Sequence, residues 1–194
     1  MERDEMFDFR KNALLANLCN EWDMMWVGCG NDKEKLMQLA LMQQSAPYLA
    51  HFCYHGIGLS KEYIEREFKD CINGRVFNDC DGVGGYTYGM YVNAIGTLQM
   101  PLNVVQILWC DNLNVVVPIT KAIKMYVSNK SKVSITCDGY NSIIIMLFDE
   151  SIVYLDDVDE ESNVTIYKYS DNCEVVKRRY CLGKVKEFRK DLKL

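Results

Sequence analysis

The sequence GVGGYTYGMYVNAIGTLQMPLNVVQILWC, residues 82–110, contains no Asp, Glu, Lys, Arg or His, although 25% of the 194-residue chain is charged. An uncharged run this long indicates backbone that is buried or covered by something that excludes water. Within it Tyr86, Tyr88 and Met90 alternate with small or polar residues, a period of two that is typical of a β-strand. We therefore predict sheet in the core here. A membrane span needs about 20 predominantly apolar residues, and five residues interrupt the run: Asn93, Gln99, Pro101, Asn103 and Gln106.

Further β-branched and aromatic segments follow this stretch and predict strands at 104–109, 114–118, 132–137, 142–148, 151–155, 163–169 and 174–180. The connections at 138–141 and 149–150 have the length and composition of tight turns. Such turns favour antiparallel hairpins between consecutive strands, with a meander as the simplest topology. Residues 119–127 predict a short helix with Thr120 as its cap. We identify no internal repeat.

Residues 1–75 have a helical period. Phe7, Leu14, Leu18, Trp22 and Met25 predict one apolar face on a helix of about five turns. Trp22 and Trp26 share a face with Met25, which indicates core packing, with an anchor for a partner as the alternative. Three further helices are predicted from apolar spacing and capping residues: one after Asn31 or Asp32, one from Ser45 to His55, and one capped by Ser60.

The last residues, GKVKEFRKDLKL, return to helical spacing through Val185, Phe188 and Leu192. The predicted fold class is α+β in one domain, 1–194. A helical half of about four helices (1–75) packs on a largely antiparallel sheet of five to seven strands (76–182). A short basic helix (183–194) ends the chain.

Composition limits the classes of function. The net charge of −5 disfavours binding to nucleic acids or anionic membranes, except through a local basic patch. Nine cysteines without a CxxC pair predict reduced thiols, and the charged first residues lack a secretion signal. We therefore expect a cytoplasmic protein, and the richness in Lys, Asn, Ile and Tyr suggests a bacterium or a bacteriophage as its source. No cofactor is predicted.

Both histidines of the chain lie in one segment, His51-Phe52-Cys53-Tyr54-His55. On a helix, His51 and His55 share a face at a spacing that can bind zinc, while Cys53 lies on another face, and neither arrangement supplies four ligands. A catalytic pair would need one imidazole to activate the thiol of Cys53 or of a distant cysteine. Structural histidines near a helix end are the alternative, and no metal site is predicted.

Asp79 and Asp81 precede the glycines Gly82, Gly84 and Gly85. A calcium loop aligned on them would lack its first and last ligands, and the glycine spacing matches no phosphate-binding loop. A tight turn explains the same residues. Asp79 and Asp81 therefore remain candidates only for orienting a catalytic histidine.

Charge is segregated near the end of the chain. Residues 149–161 contain seven acids and no base, whereas residues 177–193 contain eight bases and two acids. The two groups could neutralise each other across the sheet, or they could bind an acidic protein or a nucleic acid. The candidate partner-binding residues are Asp156, Asp157, Asp159, Glu160, Glu161, Lys177, Arg178, Arg179, Lys184, Lys186, Arg189 and Lys190.

The leading functional hypothesis is a non-enzymatic protein that binds a macromolecule, such as a phage or mobile-element product that inhibits a host complex or takes part in assembly. It predicts a protein partner, or association with further copies of the chain, and no membrane. One alternative is a thiol-dependent hydrolase or transferase that uses a Cys/His pair. The other is nucleic-acid binding through the basic C-terminal segment, with affinity that falls steeply as salt rises.

Overall fold

The computed structural model describes residues 5–16, 19–42, 45–78 and 86–191. Helices come first in the chain. The side chain of Asp32 accepts a hydrogen bond from the amide of Lys35, and that of Ser60 accepts one from the amide of Tyr63, so these two predicted caps are confirmed. Ser45 precedes the helix Ala46–Tyr54 without a capping hydrogen bond from its side chain. The described helices are α1 (Glu5–Leu15), α2 (Asn20–Cys29), α3 (Lys33–Leu41), α4 (Ala46–Tyr54) and α5 (Lys61–Glu67).

The strands form two sheets. The first has the order β1-β2-β4-β6-β8-β10-β12 and the second the order β11-β9-β7-β5-β3, so consecutive strands from β2 onward alternate between the sheets. Their bounds are β1 (Phe77–Asn78), β2 (Thr87–Val92), β3 (Ile95–Gln99), β4 (Val104–Leu108), β5 (Asn112–Val117), β6 (Ala122–Ser128), β7 (Lys132–Cys137), β8 (Ser142–Leu147), β9 (Ile152–Val158), β10 (Asn163–Lys168), β11 (Glu174–Cys181) and β12 (Lys184–Arg189).

Strands β2 to β12 pair with one another only in parallel. The short strand β1 pairs antiparallel with β2. In the first sheet Ala122 lies beside Ser142, Ser142 beside Asn163, and Asn163 beside Lys184, a spacing of 20 or 21 residues. Each coil therefore contributes one strand to each sheet and stacks on the coil before it. This is a parallel β-solenoid with two strands per coil.

Stacked apolar columns fill the space between the sheets. Ile123, Ile143 and Val164 form one column in the first sheet, and Val133 and Val153 belong to a facing column in the second; all five are buried. Because side chains alternate along a strand, every second residue enters this core while its neighbours face outward. The alternation is clear in β7, β8 and β9.

One row of corners between the sheets uses left-handed backbone. Asn93, Trp109, Asn129 and Asp149, in successive connections from the first sheet to the second, have φ between 53° and 58°. Asn and Asp tolerate this conformation better than most residues. The buried Asp149 carboxylate links two coils: it accepts hydrogen bonds from the amide of Asn129, from the amide of Lys130 at 3.0 Å and from the hydroxyl of Ser151 at 2.8 Å. The turns thus continue the coil stacking through hydrogen bonds.

Two of the core columns end in charge at the last coil, whereas Val175 and Val185 continue others. Lys177 pairs in register with Leu155, and Glu187 pairs with Ile166, so both occupy inward positions that are apolar in the preceding coil. The Lys177 ammonium lies 3.4 Å from the Glu187 carboxylate. An ion pair therefore occupies the positions that Leu155 and Ile166 fill in the preceding coil.

The helices pack on the outer side of the first sheet, near its N-terminal strands. The amide of Gln106 on β4 donates a hydrogen bond of 2.6 Å to the carbonyl of Ala46 at the start of α4. Tyr126 and Phe148 are buried in the cluster that contains Ala46. None of the described helices has the length and apolar character that crossing a membrane requires.

Several predictions are wrong. The sheet is not a largely antiparallel meander, because the short turns are corners that take the chain from one sheet to the other. A repeat of about 20 residues exists, although none was identified. Residues 119–127 do not form a helix but largely belong to β6, and the predicted basic helix over 183–194 is strand β12 as far as Arg189.

The N-terminal prediction of one five-turn helix is also wrong. The chain forms two helices, α1 and α2, and the buried residues of α1 are Phe9 and Ala13. Phe7 and Leu14 of the predicted apolar face are exposed instead. Leu18 lies outside the described residues.

Candidate functional site

The two histidines lie together at the end of α4. The ring centroids of His51 and His55 are 4.4 Å apart, and the ring planes meet at 61°. Burial, and then the nearby His55, lower the pKa of His51 to about 4. His51 is therefore neutral at physiological pH, and it lacks the second ring proton that an imidazolium acting as a general acid would transfer.

Cys53 lies in the apolar core of the helical region with Phe52 and Leu59. Burial raises the pKa of its thiol to about 12, whereas a nucleophilic cysteine needs a lowered pKa. Burial likewise raises the thiol pKa of six further cysteines: Cys29, Cys71, Cys110, Cys137, Cys173 and Cys181. None of these seven cysteines therefore has the lowered thiol pKa that the hypothesis of a Cys/His catalytic pair requires.

Asp79 and Asp81 lie outside the described residues, so their relation to the histidines is not part of the described geometry. Within the described ranges, no group of three or more His, Cys, Asp or Glu side chains comes together as a set of metal ligands.

The C-terminal charged residues lie on the last strands and corners of the solenoid. Some of them pair: Arg178 lies 3.0 Å from Asp156 and 4.7 Å from the ring of Tyr154, and Arg189 pairs with Asp171. Other candidate residues have no ion pair with any residue the structure describes: Asp157, Asp159, Glu160, Glu161, Arg179, Lys184, Lys186 and Lys190. The structure therefore brings only part of the predicted charged set together.

Two residues of the predicted apolar face, Phe7 and Leu14, are exposed on α1 together with Leu15. Leu14 is 42% exposed, Leu15 74% and Phe7 64%. Positions 7, 11, 14 and 15 recur on one side of a helix, so these side chains form a single stripe. We call Phe7, Leu14 and Leu15 the α1 face.

Two basic residues border the α1 face. Arg10 and Lys11 line a shallow depression together with the three apolar side chains. The Arg10 guanidinium binds the Asp23 carboxylate of α2 through two hydrogen bonds of 2.7 and 2.9 Å, so its charge is neutralised. Lys11 is exposed and forms no ion pair with the described residues. The depression therefore combines apolar side chains with one positive charge, that of Lys11, which no described carboxylate neutralises.

The opposite side of α1 covers a cavity. Phe9 packs against Trp26, with 5.1 Å between ring centroids, and against Phe52 at 6.1 Å. Beside these rings is an apolar cavity of about 370 Å³ between α1 and α2 on one side and α3, α4 and α5 on the other.

The fold defines the class of protein: a parallel β-solenoid with two strands per coil and a layer of helices on one sheet. Comparisons with protein-family models, with curated proteins and with solved structures gave no match to this chain.

We expect the stability of the fold to depend on the protonation of His51. Its folded pKa of about 4 lies below the ordinary value of 6.5, so the unfolded chain takes up the proton first as the pH falls. The contribution of neutral His51 is thus complete above pH 6.5 and is lost as the pH falls towards 4. This contribution to the free energy of unfolding is at most about 3 kcal/mol. Because the ring is half-buried, solvent screening reduces it to about 1 kcal/mol.

Urea unfolding at about pH 7 and about pH 4.5 measures this effect. His51→Gln should lose less stability over that interval than the original chain, by about 1 kcal/mol. His55→Gln, which removes the exposed neighbouring ring, should have a smaller effect on the stability lost between these two pH values. Identical pH dependence in the original chain and in His51→Gln would contradict the prediction.

Proposed function

We propose that the chain is a non-enzymatic protein-binding module that binds an apolar segment of a protein partner on the α1 face. The observation that carries the proposal is the exposure of three large apolar side chains on one side of one helix, Phe7, Leu14 and Leu15. Contiguous exposed apolar surface of this kind is typical of interaction sites. A helix of the partner can bury its own apolar stripe against it.

The border of the face favours an acidic partner. Arg10 is already paired with Asp23, but Lys11 has no ion pair with a described residue. A carboxylate beside the apolar stripe of the partner would meet Lys11 and gain complementary charge. The partner segment that fits best is therefore an amphipathic helix with Leu-type residues on one side and Asp or Glu at its flank.

The same charges disfavour association of two copies through this face. Antiparallel pairing of two α1 helices that brings Phe7 of one copy near Leu14 of the other places Lys11 of both copies near the centre. Like charges in direct opposition cost binding energy. A partner of different sequence is favoured over a second copy.

Hydrogen bonds fix α1 to the segment between α4 and α5. α1 is attached to the chain following α4, because the Glu5 carboxylate accepts hydrogen bonds from the amide and hydroxyl of Ser60 at 2.9 and 3.0 Å. The amide of Asn12 donates to the carbonyl of Ile57 at 2.6 Å. These contacts support a partner surface whose position is set before binding, which reduces the cost of ordering it.

A pair of synthetic helical peptides of about 15 residues tests the proposal. Both carry Leu at positions i, i+3, i+4 and i+7; one has Glu beside this stripe and the other has Lys. We expect fluorescence anisotropy to show binding of the acidic peptide and at least about tenfold weaker binding of the basic one. The variant Leu14→Ser/Leu15→Ser should weaken binding of the acidic peptide at least about tenfold, because two apolar contacts are lost.

Met24→Ser on α2 is the matched control, since Met24 and Leu15 are each 74% exposed. It should leave binding of the acidic peptide unchanged. Far-ultraviolet circular dichroism checks that all variants are folded. Equal affinity for the two peptides, no binding of either, or an equal loss in Met24→Ser would refute the proposal.

The alternatives have less support. A thiol enzyme would need a cysteine with a lowered pKa, whereas burial raises that of Cys53. For nucleic-acid binding, three of the predicted basic residues, Lys177, Arg178 and Arg189, already pair with acids. Binding through Lys184, Lys186 and Lys190 stays a prediction.

A further inference from the structure

The cavity beneath α1 and α2 has the properties of a small-molecule site. Its volume of about 370 Å³ falls within the range of roughly 300–1,000 Å³ that is usual for such sites. Aromatic rings surround part of it, those of Phe9, Trp22, Trp26 and Phe52. Leu49 and Met90 line other parts, and both are buried.

The polar character of the lining limits the ligand. No charged side chain belongs to the lining among the residues that the structure describes. Ser45 lines the cavity, but its hydroxyl lies 2.5 Å from the carbonyl of Leu39 and is engaged there. A charged ligand group inside would therefore have no partner and would pay the full cost of leaving water.

The cavity opens to solvent at one side. Cys19 and Tyr48 line it and are exposed, whereas most of the other lining side chains are buried or half-buried. A ligand can therefore enter between the start of α2 and the first turn of α4. Its single polar end would remain at this mouth, where the Tyr48 hydroxyl is available as a hydrogen-bonding group.

We propose that this cavity binds an uncharged apolar molecule of about a dozen non-hydrogen atoms. That size follows from the volume, because a water-sized group takes up about 30 Å³. The absence of charge in the ligand follows from the described lining, and its apolar character follows from the surrounding aromatic and aliphatic side chains. The site is separate from the α1 face, since it lies on the opposite side of α1.

The test uses 1-decanol and its charged analogue decanoate. Trp22 and Trp26 line the cavity, so we expect saturable changes in tryptophan fluorescence when 1-decanol binds. Decanoate should bind at least about tenfold more weakly, because its carboxylate loses part of its hydration beside Tyr48 at the mouth and no described lining residue supplies a cation to pair with it. No saturable change with 1-decanol, or equal affinity for the two compounds, would overturn the proposal.

Two variants that fill the cavity locate the binding. Ala40→Leu and Ala13→Leu place larger side chains at lining positions of α3 and α1. Each should weaken 1-decanol binding at least about tenfold while thermal unfolding still shows a folded protein. Ala122→Leu, at an exposed alanine of the solenoid, should bind as the original chain does. Unchanged binding in both cavity variants would overturn the assignment.

The two proposals fail separately. Leu14→Ser/Leu15→Ser should retain 1-decanol binding, and Ala40→Leu should retain binding of the acidic peptide, because the sites lie on opposite sides of α1.

Discussion

Ile145→Asp is expected to prevent the solenoid from folding. Ile145 is fully buried and lies in the column formed with Met125 and Ile166. A carboxylate there would have no partner in the core, at a cost of more than about 4 kcal/mol. That is comparable to the whole stability of a typical domain. Far-ultraviolet circular dichroism and urea unfolding would show the loss of the cooperative transition.

Ile144→Asp is the matched control in the same strand. Ile144 faces outward between Lys124 and Thr165 and is only half-buried. The same change should cost about 1 kcal/mol and leave the fold intact. If Ile145→Asp folds and is as stable as Ile144→Asp, that result would contradict the inward position of Ile145 in β8.

The second large effect concerns the charged end of the core. Lys177→Leu/Glu187→Ile should make the protein self-associate, because it adds a further apolar layer to columns that end at Leu155 and Ile166. Strands β11 and β12 are the edges of their sheets among the described strands, and an apolar edge with unpaired backbone groups is prone to intermolecular pairing. Sedimentation velocity over a range of concentrations measures the association.

Single and outward substitutions separate the possible causes. Lys177→Leu alone and Glu187→Ile alone should stay mostly monomeric, since each leaves one charge at the core end, and each should change stability by less than about 1 kcal/mol. Lys186→Leu adds an apolar side chain to the outward side of β12 and should also stay monomeric. A monomeric double variant would mean that the ion pair does not limit end-to-end contact.

Strand positions could be predicted well from local alternation. The predicted segments 132–137, 142–148, 163–169 and 174–180 correspond closely to β7, β8, β10 and β11. Alternation depends only on which face of a strand is buried, and that information is local. The pairing of strands is not local, and it was predicted wrongly because a short turn can be a hairpin or a corner between two sheets.

A repeat signal was available in the residues at the corners. Asn129-Lys130-Ser131 and Asp149-Glu150-Ser151 lie 20 residues apart, and the Asp149 carboxylate joins the two turns through hydrogen bonds. Ile123, Ile143 and Val164 repeat at nearly the same interval. Reading these positions together predicts stacked coils, whereas reading each turn alone predicts hairpins.

The helical errors have a different physical cause. Val185 and Phe188 are three residues apart, as on a helix face, but Val185 packs against the core whereas Phe188 stacks on Tyr167, with 5.6 Å between ring centroids. In α1 the sequence has apolar residues on two sides. Phe9 rather than Phe7 is buried because Phe9 packs against Trp26 and Phe52, which lie later in the chain. Tertiary contacts decide such cases, so periodicity alone could not identify the α1 face.

The parallel coil stacking underlies both the support for the helical layer and the charged core end, and nuclear Overhauser spectroscopy tests it most directly. The solenoid predicts contacts between backbone Hα and amide protons of neighbouring parallel strands, whose paired residues are 20 or 21 apart in sequence. Between β8 and β10 such contacts should appear around the pairs Ile143–Val164, Ile144–Thr165 and Ile145–Ile166. It predicts no Hα–Hα contacts between β7 and β8, which lie in different sheets. A series of strong Hα–Hα contacts between these two consecutive strands would establish an antiparallel hairpin and contradict the solenoid.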